Sequence, residues 1–433
     1  MDMTPKEIVK YLDDYVIGQG MAKKTIALAL RNRYRRMQLD PQIQEEIMPK
    51  NILMIGSTGV GKTETARRLA KMMSLPFVKV EASKYTEVGY VGRDVESMVR
   101  DLVFESINIV TKEFENNIKN DIEKEVIKKI VEILVPPLPE SASESSKESF
   151  IKTYNMMEEK VINGDMDDKK ITIKIPKRTQ VEVIDSNIPM DFTAMSDSIN
   201  NLLKGAKDQK IKKEVTIKDA KEILKSEVSE SLLDQEAIKL EGLKRAQDGG
   251  IIFLDEIDKI AAGSNGKNSD PSKEGVQRDL LPIVEGSTVQ TKFGQVKTDH
   301  ILFIAAGAFH VSKPSDMLPE LQGRFPLRVE LNSLDEEALY KILTNTKNSL
   351  LKQYQALLSV EDVTLEFDDE AIKSFAKYSV NANETTEDIG ARRLHTVIEK
   401  VLEDISFDAD QYKGQTVKIT KDLVSEKLET IVE

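Results

Sequence analysis

A chain of 433 residues is too long for one ordinary hydrophobic core, and its 40% apolar residues are enough to fill two or three. A formal net charge of -12 repels phosphate backbones and argues against nucleic acid as a partner, while the absence of cysteine excludes disulfides, zinc–thiolate sites and thiol catalysis and fits a reducing cytoplasm. The three histidines, His300, His310 and His395, show no metal-ligand spacing, and the 31% of charged residues points to long solvated helices.

Thr4, Pro5 and Glu7 form a capping box with proline in the first helical turn, where a signal peptide would have a basic start and an apolar run. No apolar stretch approaches the roughly 20 residues of a membrane span, so no membrane partner is expected. Val16-Ile17-Gly18-Gln19 reads as a turn with two apolar residues. Asn51 to Ile55 is a short apolar run, read as a buried strand. A glycine loop follows, then a helix from Lys62 to Met73 and a second strand over Phe77 to Val80. This order predicts a parallel α/β sheet. Gly89-Tyr90-Val91-Gly92 sets an aromatic residue between glycines, which suits a mobile loop or a tight turn with Tyr90 packed inward.

From Thr111 to about Leu240 the chain is rich in Lys and Glu and poor in glycine. Phe114, Ile118, Ile122, Val126 and Ile130 recur at helical spacing and predict one long amphipathic helix. Pro136-Pro137-Leu138-Pro139 and the serine-rich run Ser141 to Ser146 break it as a linker. Residues 110–242 are therefore expected to be an inserted, mainly helical domain within a nucleotide-binding core made of 1–109 and 243–332. Ile251 to Leu254, Ile301 to Ile304 and Leu327 to Leu331 read as returning strands of that core, the first two covered on both faces. Ser333 and Glu336 form a second capping box opening a small helical domain, 333–433, with short strands at Val363, Leu365 and Phe367 and at Val417 and Ile419. There, Leu394, Val397, Ile398, Val401, Leu402 and Ile405 make one apolar helix face. Arg392 and Arg393 stand in its first turn, where cations oppose the helix dipole unless an anion is bound.

Gly56-Ser57-Thr58-Gly59-Val60-Gly61-Lys62-Thr63 fits G-x-x-x-x-G-K-[ST] in full. Glycines let backbone N–H groups curl around phosphate oxygens, and the following helix aims its positive end at the same anion. In that pattern Lys62 reaches the β- and γ-phosphates and the Thr63 hydroxyl binds Mg²⁺. Asp255 and Glu256 end an apolar strand, the edge where ligands bind in such sheets; Asp255 suits Mg²⁺ and Glu256 suits polarising a water. A βαβ unit takes only roughly 30 residues. Lys62 and Asp255 are much further apart than that, which again requires an insertion.

These motifs, with Thr86-Glu87-Val88-Gly89-Tyr90-Val91-Gly92, Leu254-Asp255-Glu256-Ile257-Asp258-Lys259, Leu321-Gln322-Gly323-Arg324 and Gly390-Ala391-Arg392-Arg393-Leu394-His395, resemble the HslU (ClpY) family of AAA+ ATPases over nearly the whole chain. The resemblance implies an AAA+ fold and a homohexameric ring that hydrolyses ATP with Mg²⁺. It also implies that the ring unfolds tagged or unfolded proteins and threads them into a separate HslV-type peptidase, being no peptidase itself. It assigns nucleotide binding to Ile17, Gly59, Val60, Gly61, Lys62, Thr63, Glu64, Asp255, Glu320, Arg392 and Arg393, with Thr63 and Asp255 on Mg²⁺. Catalysis falls to Lys62, Glu256 and Arg324, the last as an arginine finger reaching a neighbouring subunit. Gly89, Tyr90, Val91 and Gly92 become the pore loop that pushes substrate. Read from the residues alone, Arg324 is a surface salt-bridge arginine, and Arg392 and Arg393 are solvated ones.

Two departures stand out. Ile304-Ala305-Ala306-Gly307 offers no polar side chain where many AAA+ proteins keep a sensing Asn or Thr, and the sequence stops at Ile431-Val432-Glu433, short of the tail with which the family docks into its peptidase. The expectation of nucleotide binding and ring formation is untouched; that of peptidase activation is weakened, which leaves a stand-alone remodelling ATPase as the alternative. A nucleic-acid motor fits the acidic balance poorly, and a nucleotide-binding scaffold would show no turnover. Asn345-Thr346-Lys347-Asn348 does not match the guanine-reading N-K-x-D of a GTPase.

Overall fold

The computed structural model describes residues 3–47, 50–87, 92–136, 144–176, 210–261 and 271–429. The chain divides into two compact units, Met1–Val110 with Lys239–Glu433 and Thr111–Ile238. The first unit is built on a five-stranded parallel sheet. Its spatial order is Phe77–Glu81, Ile251–Asp255, Leu302–Gly307, Ile52–Ile55, Leu327–Glu330. Successive residues of a strand point to opposite faces. Leu53, Ile252, Leu254, Phe303 and Ala305 thus pack on one side against Met98, Val99 and Leu102 of the Ser97–Asn117 helix. Ile52, Met54, Ile251, Phe253 and Ile304 pack on the other against Ile26 and Leu30 of the Gly20–Met37 helix and Ala66 and Leu69 of the Lys62–Met72 helix. Burial on both faces explains why these strands read as unbroken apolar runs.

All strands of the sheet end on the same edge. Register sets Ile55 beside Gly307 and Glu81 beside Asp255, so the chain leaves four neighbouring strands on one edge. The Thr4–Glu7 capping box forms, with the Thr4 hydroxyl accepting from the Glu7 N–H and the Glu7 carboxylate from the Thr4 N–H.

Residues beyond 333 have their own core of Leu339, Leu343, Phe375, Leu394, Ile398 and Leu402. Thr364–Phe367 pairs in parallel with Thr416–Ile419 beside it. The helix that opens this region, Glu336–Thr344, is capped by Asp335 and not by Ser333: Asp335 accepts from the Ala338 N–H at 2.8 Å, because the helix starts later than the Ser333 box requires.

In the Thr111–Ile238 unit the expected single long helix is two, ending at Asn117 and resuming at Lys119, with Ile118 out of helical geometry between them. Asn116 and Asn117 are weak helix formers, and the break falls just after them. Ile122, Val126 and Ile130 keep their buried face beyond it. The unit also holds an antiparallel pair, Lys170–Pro176 with Lys210–Thr216, whose Ile171-Thr172-Ile173 alternation is strand-like in the sequence.

Candidate nucleotide site

The loop leaving Ile52–Ile55 turns through Gly59 (φ 77°) and Gly61 (φ 100°) and enters the Lys62–Met72 helix. Both values lie in the left-handed region that glycine tolerates and other residues do not. The helix opens with its free N–H groups toward the loop, an arrangement suited to anions. Lys62 is buried, and its Nζ donates to the carbonyls of Gly56 and Ser57. Burial lowers its pKa, an effect that nearby Asp255 and Asp258 oppose.

Asp255 is the last residue of its strand. Its Oδ2 accepts from the Thr63 hydroxyl at 3.5 Å and lies 2.7 Å from the Lys79 ammonium, and its Oδ1 accepts from the Glu256 N–H at 3.1 Å. Glu256 has φ 56° and ψ 35°, left-handed for a residue with a Cβ; such strain concentrates at functional sites. Its Oε2 accepts from the Ser83 hydroxyl at 2.8 Å. A cavity of about 330 Å³ is lined by Thr58, Gly59, Gly61, Lys62, Thr63, Glu64, Asp255, Glu256 and Arg392, with Arg67 and Lys79. The hydroxyl of Thr63 and the carboxylate of Asp255 give the hard oxygen donors that Mg²⁺ prefers, with its other positions left to phosphate and water. Among the described residues no cluster of three or more His, Cys, Asp or Glu forms a fuller metal cage.

Arg392 arrives from far along the chain because Gly59 and Gly390 let two backbones meet. The Ala391 N–H donates to the Gly59 carbonyl at 3.2 Å. A Cβ on Gly59 would lie 2.0 Å from the Ile389 carbonyl oxygen, and one on Gly390 would lie 2.6 Å from that of Thr58. The helix Arg392–Phe407 starts there without a side-chain cap.

Other sequence-chosen residues stand elsewhere. Val60 is buried in the sheet-face core and adds only its backbone to the loop. Glu64 does line the phosphate cavity, with its carboxylate engaged by Arg68. Arg393 is not among the residues lining the cavity and ties its own turn, donating to Asn383 Oδ1, Thr386 Oγ1 and the Glu387 carbonyl. Ile17 lines a second cavity of about 390 Å³, with Val16, Gly18, Lys23, Asp335 and Lys341. Glu320 is exposed on Pro319–Gly323, and Arg324 forms an ion pair with Glu285 at 2.6 Å; neither lines the phosphate cavity. Gly89, Tyr90 and Val91 lie outside the described residues. The segment holding them is closed at its base, where Tyr85 and Arg93 form a parallel bridge, the Thr86 N–H donates to the Arg93 carbonyl, and Gly92 leaves room for the Thr86 side chain.

Sequence reasoning missed Lys79, Ser83 and Arg67. Only Lys79 carried a signal: it is a lone cation inside the apolar run Phe77-Val78-Lys79-Val80.

Residues 52–160 match the model of the ATPase family associated with various cellular activities. Residues 168–328 match that of the AAA domain, Cdc48 subfamily, and residues 334–409 that of the C-terminal, D2-small domain of ClpB protein. The ATP-dependent protease ATPase subunit HslU of Helicobacter pylori strain 26695 is 61% identical over 433 residues, covering 100% of this chain and 97% of its own length. The same-named protein of Campylobacter jejuni serotype O:2 is 62% identical over 434 residues, covering 100% and 98%.

Proposed function

This chain belongs to the HslU family of AAA+ ATPases, an ATP-hydrolysing unfoldase subunit of an ATP-dependent protease, and from that premise we propose how its residues share the work. One observation supports the assignment above the others: Lys62, Thr63, Asp255, Glu256 and Arg392, from three distant stretches, surround one cavity. Lys62 and the N–H groups of Gly59 to Glu64 hold the phosphates, and Ile17 contacts the adenine. Thr63 and Asp255 would hold Mg²⁺, which would supply positive charge to offset that of the phosphates. Glu256 polarises the attacking water, general-base work that contributes typically 10²–10⁴-fold. Arg392 touches the nucleotide from the second half of the chain. Arg324 and Glu320, away from their own cavity, complete the site of an adjacent subunit in a homohexameric ring. Turnover moves Tyr90 and Val91 against a protein substrate, passing it to an HslV-type peptidase in the cytoplasm. No helix among the described residues is long and apolar enough to cross a membrane.

The test is one ATPase and unfolding assay on two variants. Glu256→Gln should keep Mg²⁺-dependent ATP binding and lose turnover by roughly 10²-fold or more; normal turnover would remove Glu256 from catalysis. Tyr90→Ala should keep ATPase activity and stop unfolding of a tagged substrate, and unfolding that persists would remove the pore assignment.

A further inference from the structure

We infer that Gln277 is a positioning residue for Arg324. It ties the turn that carries Glu256 to the short helix that carries Arg324, so the catalytic end of one site sets how the arginine is presented to the next. The inference rests on the reading above, in which Glu256 works within its own chain and Arg324 serves an adjacent subunit.

The Pro271–Glu285 helix buries Val276, Leu280, Ile283 and Val284 in the same core as Ile252, Leu254 and Phe303. Gln277 stands among these apolar positions and is 1% exposed. A buried amide is costly unless its hydrogen bonds are made. Here both ends are used. Its Nε2 donates to the Ile260 carbonyl at 2.8 Å, and its Oε1 accepts from the Leu318 N–H at 2.8 Å. These partners fix the amide's orientation, since a carbonyl only accepts and an N–H only donates.

Both partners stand at the ends of single turns. Glu256, at φ 56°, opens the turn Ile257–Lys259, which closes at Ile260, and the Glu256 carbonyl accepts from the Lys259 N–H at 3.0 Å. Leu318 starts the Pro319–Gly323 helix, and Arg324 ends it. That far end is pinned to the sheet: Asn51 donates from Nδ2 to the Arg324 carbonyl at 3.1 Å and accepts at Oδ1 from the Phe303 N–H at 3.0 Å. A shift of the Ile260 carbonyl therefore moves Leu318 through Gln277 and swings the short helix about Arg324. The long helix also ends at Glu285, whose carboxylate holds the Arg324 guanidinium at 2.6 Å. The Ser312 hydroxyl, donating to the Asp258 carbonyl at 3.1 Å, joins the two segments at a second point, but well before the helix that aims the arginine.

Gln277→Met keeps the volume and loses both bonds. Leu318 has φ -53°, so Leu318→Pro deletes the donated N–H at a backbone angle proline adopts. Full-length chains of either variant should hydrolyse ATP roughly tenfold or more slowly at saturating nucleotide, with KM for ATP within about twofold of wild type. The deciding step is mixing each with Glu256→Gln, which on the reading above lacks turnover but keeps an intact arginine. In randomly mixed rings about one site in four pairs an intact Glu256 with a well-placed Arg324, so turnover should exceed the average of the two separate proteins roughly fivefold. Arg324→Ala mixed with Glu256→Gln is the reference and should recover in the same way. For a variant whose cooperative melting shows it folded, a mixture that stays at the average while the reference recovers overturns the role of Gln277 and leaves the trans arginine standing. Normal turnover of Gln277→Met by itself also overturns it. No recovery in the reference overturns the arginine reading instead.

Discussion

Replacing Gly390 with alanine tests whether the C-terminal segment must lie on the phosphate loop. Gly390 has φ +56°, and a left-handed backbone costs a residue with a Cβ roughly 1–2 kcal/mol. Gly414, with φ +75°, carries the same strain, but a Cβ there meets nothing within 4 Å. A Cβ on Gly390 instead falls 2.6 Å from the Thr58 oxygen and 2.8 Å from the Gly59 carbonyl carbon, both backbone atoms that cannot rotate away. Ordinary contact begins at 3.4 Å, so the two backbones must separate by several tenths of an ångström. Arg392 follows two residues later and would move with them. Misplacement of about 1 Å at a reacting centre costs on the order of 10²-fold. Gly414→Ala should therefore lower the melting temperature by roughly 2–4 °C and leave ATPase activity alone. Gly390→Ala should show a similar thermal loss and a fall in ATP turnover of roughly 10–10²-fold at saturating nucleotide. Paired melting and steady-state ATPase measurements decide it. Turnover in Gly390→Ala within twofold of Gly414→Ala would refute the idea that this contact positions Arg392.

Two further outcomes follow from side chains that the motifs did not flag. Lys79 lies on the Asp255 oxygen that Thr63 also approaches, where it would compete with a Mg²⁺ held by the pair; Lys79→Met should then lower the Mg²⁺ concentration for half-maximal turnover by up to about fivefold, since a partly exposed pair is worth roughly 1 kcal/mol at most. A Mg²⁺ titration showing no decrease would exclude the competition. His300 has its pKa pushed below the ordinary 6.5, chiefly by burial and then by Arg36. The folded chain therefore resists a proton that the unfolded chain accepts, so the stability tied to His300 is present above pH 6.5 and lost as pH falls below it. Urea unfolding from pH 5 to 7.5 should show this slope flattened in His300→Gln, and an unchanged slope would assign it to other groups.

The parts of the site that are local in the chain were legible. The phosphate loop spells out its own backbone geometry, and Asp255 and Glu256 follow from the end of an apolar run. The three central strands are buried on both faces and advertise themselves as unbroken apolar runs, while the edge strands Phe77–Glu81 and Leu327–Glu330 show only as shorter runs broken by charged residues. What stayed hidden depends on pairing between strands or on small shifts of a helix start. Lys79 matters only because the Phe77–Glu81 strand pairs with Ile251–Asp255 in one particular register. The Ser333 capping box failed because a helix beginning at Glu336 takes its cap from Asp335, a difference of local geometry that composition does not encode.

Gly59 shows why some of the site was beyond a local reading even where the motif was plain. As a phosphate-loop residue its glycine is explained by φ +77° alone. The Ile389 carbonyl oxygen, however, lies 2.0 Å from where a Cβ would be, so the same glycine also makes room for the turn that carries Arg392. Two constraints from opposite ends of the chain converge on one missing methyl group. A motif can record only the first, because the second exists only when the 333–429 region is folded against the loop. Substitution at Gly59 should therefore injure phosphate binding and the placement of Arg392 together, whereas substitution at Gly390 separates them, since the loop keeps its own glycines and only the approach of the second segment is lost.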